Sequence, residues 1–101
     1  MSIKTEVAAA ATGFISAGDY TIAVTDPADG LTIKIDGDLL PDDGLHLVRQ
    51  NFAGDDYEPV TMNGRLVLLG PYNRTATPAE VGTYSLRGHV TNTIKIWTEA
   101  I

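Results

Sequence analysis

The last 24 residues of the chain, 78–101, read PAEVGTYSLRGHVTNTIKIWTEAI. Apolar and polar residues alternate at 83–87 and again at 93–98, and a polar connection separates the two runs. This pattern predicts two strands joined as a hairpin. Gly82 and Tyr84 lie two residues apart at the entrance of the first strand, as in a tyrosine corner, where the phenol bonds back to nearby backbone. We therefore expect a small all-β domain in which Gly82 and Tyr84 have structural roles.

Turn dipeptides divide the rest of the chain into short β-rich runs: Asp29-Gly30, Asp36-Gly37, Asp43-Gly44 and Asn63-Gly64. Between them the pattern predicts strands at 20–24, 31–35, 45–49, 57–61 and 65–69. We expect the first two to pair as a hairpin through 26–30. The run at 65–69 is apolar on both faces, which predicts a central strand or one covered by another subunit. With the two strands of 78–101, the prediction is a compact antiparallel β-sandwich or barrel of about seven strands.

The first 13 residues differ from this pattern. Ala8 to Ala11 favour helix, whereas Ile3, Val7 and the threonines around them favour extended structure. We expect residues 1–13 to form an N-terminal arm, either flexible or laid on a neighbouring subunit, with a short helix as the alternative. Residues 14–101 are then a single β-domain.

Composition narrows the classes of function. A chain of 101 residues is one domain, and the absence of cysteine excludes disulfides and thiolate metal sites. The formal net charge is −6 and no basic patch is visible, so we expect no nucleic-acid partner. No apolar run approaches 18 residues, so we expect no membrane partner.

No catalytic pattern is present in the sequence. It contains no nucleophile elbow, phosphate-binding loop or paired-histidine metal motif, so we expect a protein that is not an enzyme and takes no cofactor. Asp36, Asp38, Asp42 and Asp43 resemble fragments of a calcium loop, although 39–41 interrupt the ligand spacing. Turn-forming aspartates are the main interpretation, and a weak calcium site is the alternative.

Interface residues are expected at five positions. If Ile94 and Ile96 face the core, Trp97 faces outward, and tryptophan is enriched in protein interfaces. The other candidates lie in the predicted arm, in the run that is apolar on both faces and in the long polar connection that follows it. The predicted interface residues are Ile3, Val7, Leu69, Tyr72 and Trp97.

The carboxyl-terminal stretches Gly82 to Arg87 and Ile94 to Trp97, together with the earlier Gly64 to Pro71, resemble the endings of small virion proteins of tailed bacteriophages. The resemblance covers residues 64–101. Immunoglobulin-like domains share the tyrosine spacing, but Leu86 stands where they have a cysteine, so only the sandwich architecture is common to both.

Within that group the resemblance implies a capsid decoration, or cement, protein. Such a protein would bind the major capsid protein and further copies of itself, with a trimer favoured, and would strengthen the shell through subunit contacts and an extended arm. It would be made in the host cytoplasm and located on the capsid surface of the virion. The alternatives are a tail-tube, head-completion or fibre-base protein and a carbohydrate-binding β-module.

Overall fold

The structure is a computed structural model that describes residues 3–54 and 56–100. It confirms the predicted all-β, antiparallel fold, with eight strands in one curled sheet and two more in a separate hairpin. The described chain has ten strands rather than about seven, because the N-terminal segment and several short edge segments also pair. In chain order they are β1 (Ile3–Ile15), β2 (Thr21–Val24), β3 (Thr32–Gly37), β4 (Gly44–Gln50), β5 (Tyr57–Pro59), β6 (Thr61–Met62), β7 (Arg65–Leu66), β8 (Leu68–Leu69), β9 (Thr75–Ala76) and β10 (Gly82–Ala100).

The central element is β10, which runs for 19 residues without a turn. Its pairing partners are β2 and then β1 along one edge, and β4 and then β3 along the other. The predicted hairpin of 83–87 and 93–98 is therefore wrong. Gly88 resembles a turn residue in the sequence, but here it allows close approach, since a Cβ at this position would collide with the carbonyl oxygen of Gly44 on β4.

The strands β2 and β3 do not form the predicted hairpin. A short 3₁₀ turn at Pro27–Asp29 joins them, and the side chain of Asp26 caps it by accepting a 3.0 Å hydrogen bond from the amide of Ala28. Both strands pair with β10, β2 at 82–85 and β3 at 94–99. The connection thus carries the chain from one edge of β10 to the other, and from the first residues of β10 to its last.

The N-terminal segment forms a strand of this sheet instead of a separate arm. Residues 3–13 belong to β1, which pairs with β10 from Ile3 opposite Ala100 to Ile15 opposite Gly88. The expected boundary between 13 and 14 falls inside that strand, and residues 1 and 2 of the predicted arm lie outside the described residues. Backbone pairing along β10 outweighs the helix preference of the alanines. Three register shifts between Glu6 and Gly13 make this pairing irregular.

The run at 65–69 is divided and lies at the margin of the fold, not at its centre. Asn63 and Gly64 adopt left-handed conformations, with φ of 55° and 77°, and form the two-residue turn that joins β6 to β7. After Val67, β8 pairs with β4 at the edge of the main sheet. The predicted Asn-Gly turn is confirmed, whereas the predicted central strand is wrong.

The hydrophobic core lies on the concave side of the curled sheet. Seven of the ten strands, all except β5, β6 and β7, contribute buried side chains, which alternate with exposed or half-buried ones in β2 and β3. No helix in the described residues is long and apolar enough to cross a membrane. The largest fully buried apolar side chains are Ile33, Leu45, Leu47, Val48, Leu69, Leu86, Val90 and Ile96.

Candidate interaction surfaces

Three large apolar side chains are exposed close together in the chain. Leu66 is 55% exposed, Leu68 is 46% exposed and Tyr72 is 89% exposed. We call these three residues the hairpin surface. A shallow concavity of about 460 Å³ is lined by both leucines and by Met62. Leu66 and Leu68 therefore share one exposed apolar concavity, whereas Tyr72 follows them in the chain and does not line it. Exposed apolar patches are typical of contact sites.

The backbone around the hairpin surface fixes its shape. Val60 donates to the carbonyl of Leu47 and Leu47 donates to that of Val67, each at 3.0 Å, which anchors the base of the hairpin to β4. The turn that carries Tyr72 is closed by a 2.8 Å bond from the amide of Gly70 to the carbonyl of Asn73. The side-chain amide of Asn73 also donates to the carbonyl of Leu68, at 3.2 Å. The backbone that carries the exposed side chains is thus held by hydrogen bonds to neighbouring segments.

The structure corrects one interface prediction in this region. Leu69 is fully buried and lies opposite Leu45 in the core. Because side chains alternate along β8, its neighbour Leu68 points outward instead. Leu69 therefore has a structural role, while Tyr72 is accessible and its interface role stays a prediction.

Trp97 lies on the outer face of the sheet, as expected from its neighbours Ile94 and Ile96, which are buried. Its ring is partly covered. The ammonium of Lys34 lies 4.9 Å from the ring centroid and that of Lys4 lies 5.2 Å away, both within cation–π range. The interface role of Trp97 also stays a prediction.

Charged side chains lie on the same face as Trp97. Lys34 forms a 2.6 Å ion pair with Glu99, and Lys95 lies 3.6 Å from Glu6. All three lysines of the chain therefore meet on this face, each beside a carboxylate or the indole. The face is close to neutral, which argues against a strongly charged partner.

The two candidates on β1 differ in accessibility. Ile3 is 62% exposed, whereas Val7 is half-buried and packs against the core. Phe14, which sequence reasoning did not select, is 87% exposed, and its ring centroid lies 4.7 Å from that of His89. Adjacent residues of a strand face opposite sides of the sheet, so only one of Phe14 and Ile15 can face the core. This signal was missed because the boundary expected at residue 13 separated both residues from the predicted arm.

The tyrosine corner is confirmed. The hydroxyl of Tyr84 donates a 2.8 Å hydrogen bond to the carbonyl of Glu80, and burial raises the pKa of the phenol. Arg49 crosses this corner, with a 2.7 Å ion pair to Glu80 and a hydrogen bond to the carbonyl of Val81. Gly82 leaves room for it, since a Cβ there would lie 2.6 Å from the arginine Nε.

An open groove of about 1100 Å³ lies next to the corner. Its lining includes Tyr84, Arg49, Met62 and the fully exposed Phe52. The lining mixes apolar and charged groups, so the groove is suited to an amphipathic ligand or an extended peptide.

The four aspartates considered for calcium do not form one site. Asp36, Asp38 and Asp42 are exposed, whereas Asp43 is buried. No group of three or more His, Asp or Glu side chains within 3–54 and 56–100 is arranged to hold a metal ion. The carboxylate of Asp43 is instead occupied by hydrogen bonds, because it accepts from the amide of Leu40 and from two donors of Thr91.

Comparisons with known proteins leave the phage resemblance as a prediction. No protein-family model, no curated protein and no solved structure matches this chain.

Proposed function

We propose that this protein is a non-enzymatic structural component of a tailed-phage virion that binds the outer capsid surface as a decoration, or cement, protein. The observation that carries the proposal is the hairpin surface, where Leu66, Leu68 and Tyr72 are exposed on hydrogen-bonded backbone. The predicted partner is the major capsid protein. Because β1 is part of the domain's own sheet, the hairpin surface replaces a free arm as the proposed site of attachment.

Attachment would follow from burial of apolar area, without turnover. Fully burying a leucine side chain is worth roughly 1.5–3 kcal/mol, and a tyrosine adds a large amphipathic contact. Since a decoration protein occupies many equivalent sites, modest affinity at each site would still stabilise the shell. The pre-ordered backbone of the hairpin surface lowers the entropy lost on binding.

Co-sedimentation with empty shells tests this proposal. Shells assembled from the major capsid protein of the same phage would be mixed with the purified protein and pelleted. We expect Leu66→Asp to weaken binding at least about tenfold, because it places a charge in a buried contact. Val81→Asp is the matched control, because Val81 is 52% exposed but lies outside the hairpin surface. Equal binding by both variants, or no pelleting of the unaltered protein, would contradict the proposal.

A ligand-binding role is the second candidate, and the groove beside Tyr84 favours it. Phe52 offers an exposed ring there, and Arg49 and Glu80 offer polar groups. Such a lining is compatible with an oligosaccharide. A glycan-array signal that Phe52→Ala abolishes would support this role, and an array without binding would reject it.

A further inference from the structure

The outer edge of β1 is a long unpaired strand edge. Among the described residues β1 pairs only with β10, so the opposite edge of a 13-residue strand has no strand partner. Residues 7–15 contain no charged residue and no proline. Stable proteins usually keep such edges short, charged or covered. Apart from Lys4 and Glu6 near its start, only the bulges of β1 interrupt this edge, which favours a covering strand in the assembled protein.

Exposed apolar side chains mark both ends of the same strand. Ile3 is 62% exposed at one end and Phe14 is 87% exposed at the other. Phe14 lies on the outer face, where it contacts His89, and Lys4 lies on that face too, above Trp97. By alternation Ile3 lies on the inner face, as does the buried Ile15.

We propose that β1 pairs antiparallel with β1 of a second copy of this chain, about a two-fold axis at Ala9. In this register Ile3 lies opposite Ile15 of the partner subunit, both on inner faces. Lys4 lies opposite Phe14 of the partner subunit, both on outer faces, so the lysine stem covers the exposed ring. At the centre of the irregular segment between them, Ala8 to Ala11 are small residues that permit close approach of the two backbones.

The charges agree with this register. Glu6 falls opposite Thr12 of the partner subunit, and no two like charges are opposed across the new ladder. Such a contact is isologous and closes at two subunits, joining two curled sheets into one. The other unpaired edges of the main sheet are much shorter, with four residues in β2, three in β5 and two each in β8 and β9. Self-pairing of β1 is therefore the longest backbone contact that two copies can make.

The proposal rests on the geometry of β1 and not on a role in a virion. It also differs from the trimer that the phage resemblance implies, because a two-fold contact builds dimers. The two can therefore fail separately. A dimer that ignores shells would retain this inference and remove the proposed function, and a trimer that binds shells would do the reverse.

Sedimentation velocity across a concentration series, with two opposite charges at one position, tests the contact. Phe14→Lys places an ammonium opposite Lys4 of the partner subunit, and we expect a roughly tenfold or greater increase in the dimer dissociation constant because the change occurs twice. Phe14→Glu removes the same apolar ring but gives an attractive pair with Lys4, so we expect the dimer to persist. Phe52→Lys is the control, since Phe52 is fully exposed outside β1.

Circular dichroism of each variant would confirm that the fold is retained. A dimer that Phe14→Lys weakens and Phe14→Glu preserves would support the proposed register. A monomer at every concentration, a trimer, or equal behaviour of the two Phe14 variants would overturn it.

Discussion

The carboxylate of Asp43 holds together two parts of the fold that are distant in sequence. Its Oδ2 accepts a 3.0 Å hydrogen bond from the amide of Leu40, within the loop between β3 and β4. Its Oδ1 accepts from the hydroxyl of Thr91 at 2.9 Å and lies 3.8 Å from Nδ1 of His89, both on β10. The hydrogen bond from the backbone amide of Leu40, followed by the hydrogen bonds from Thr91, lowers the pKa of Asp43 below its ordinary value of 3.8. Burial of the carboxylate opposes this change.

A lowered pKa links this carboxylate to stability at acidic pH. The folded state holds the ionised form more strongly than the unfolded state, so the contribution is present above pH 3.8. It is lost as the pH falls through the lower, folded-state pKa. We expect Asp43→Asn to be less stable than the parent near about pH 6 and the difference to shrink as the pH falls below 3.8. Urea unfolding at several pH values measures it.

The neighbouring Asp42 supplies a matched control. It is exposed, and Asp42→Asn changes the net charge by the same amount. We expect its effect on the free energy of unfolding to be small throughout this pH range. A gap between parent and Asp43→Asn that stays constant down to the lowest pH would show that the charge of Asp43 does not stabilise the fold.

Local spacing predicted some of these residue roles and could not predict others. The bond of Tyr84 spans four residues, so a short motif was sufficient to predict it. The partner of Asp43 is Thr91, 48 residues away, and nothing near Asp43 in the sequence indicates that contact. The motif Asp43-Gly44 was therefore compatible with two interpretations, a turn and a calcium ligand.

At the scale of elements, alternation located strands but not their partners. The runs predicted at 20–24, 31–35 and 45–49 correspond closely to β2, β3 and β4. The pairing of β1 with β10 joins the two ends of the chain, and such long-range register is not encoded in any local window. The same limit explains why one continuous β10 was interpreted as a hairpin around Gly88.

Substitution of Gly88 distinguishes a continuous strand from a hairpin turn. In the continuous strand a Cβ at position 88 would collide with the backbone of Gly44 and Leu45, which cannot move aside like a flexible side chain. We expect Gly88→Ala to lower the free energy of unfolding by about 3 kcal/mol, at the upper end of overpacking costs. Gly64→Ala is the comparison, because its Cβ would meet nothing and only its left-handed φ of 77° is costly, by about 1 kcal/mol. Urea unfolding that finds Gly88→Ala no worse than Gly64→Ala would contradict the close approach of β10 to β4.

For the whole molecule, the sheet topology predicts where the fold opens first. Residues 84–85, 88–89 and 94–99 of β10 lie between strands on both edges, so their amides become exposed only when several strands separate. Among the described residues, β6 and β7 pair only with each other, and this hairpin is tied to the main sheet through Val60 and Val67. Protection against exchange follows the free energy of the opening that exposes each amide.

We therefore expect hydrogen–deuterium exchange to be slowest in β10, at 84–85, 88–89 and 94–99, and at least about a thousandfold faster in β6 and β7. Exchange measured on the isolated protein by NMR resolves these segments, and β2, paired along one edge only, should be intermediate. The same experiment bears on function, because the hairpin surface must be free if it is to dock on a shell. Equal protection of β6–β7 and β10 would mean that the hairpin opens only together with the main sheet, as it would if a second copy covered it. The capsid contact would then have to use another face, with Trp97 as the next candidate.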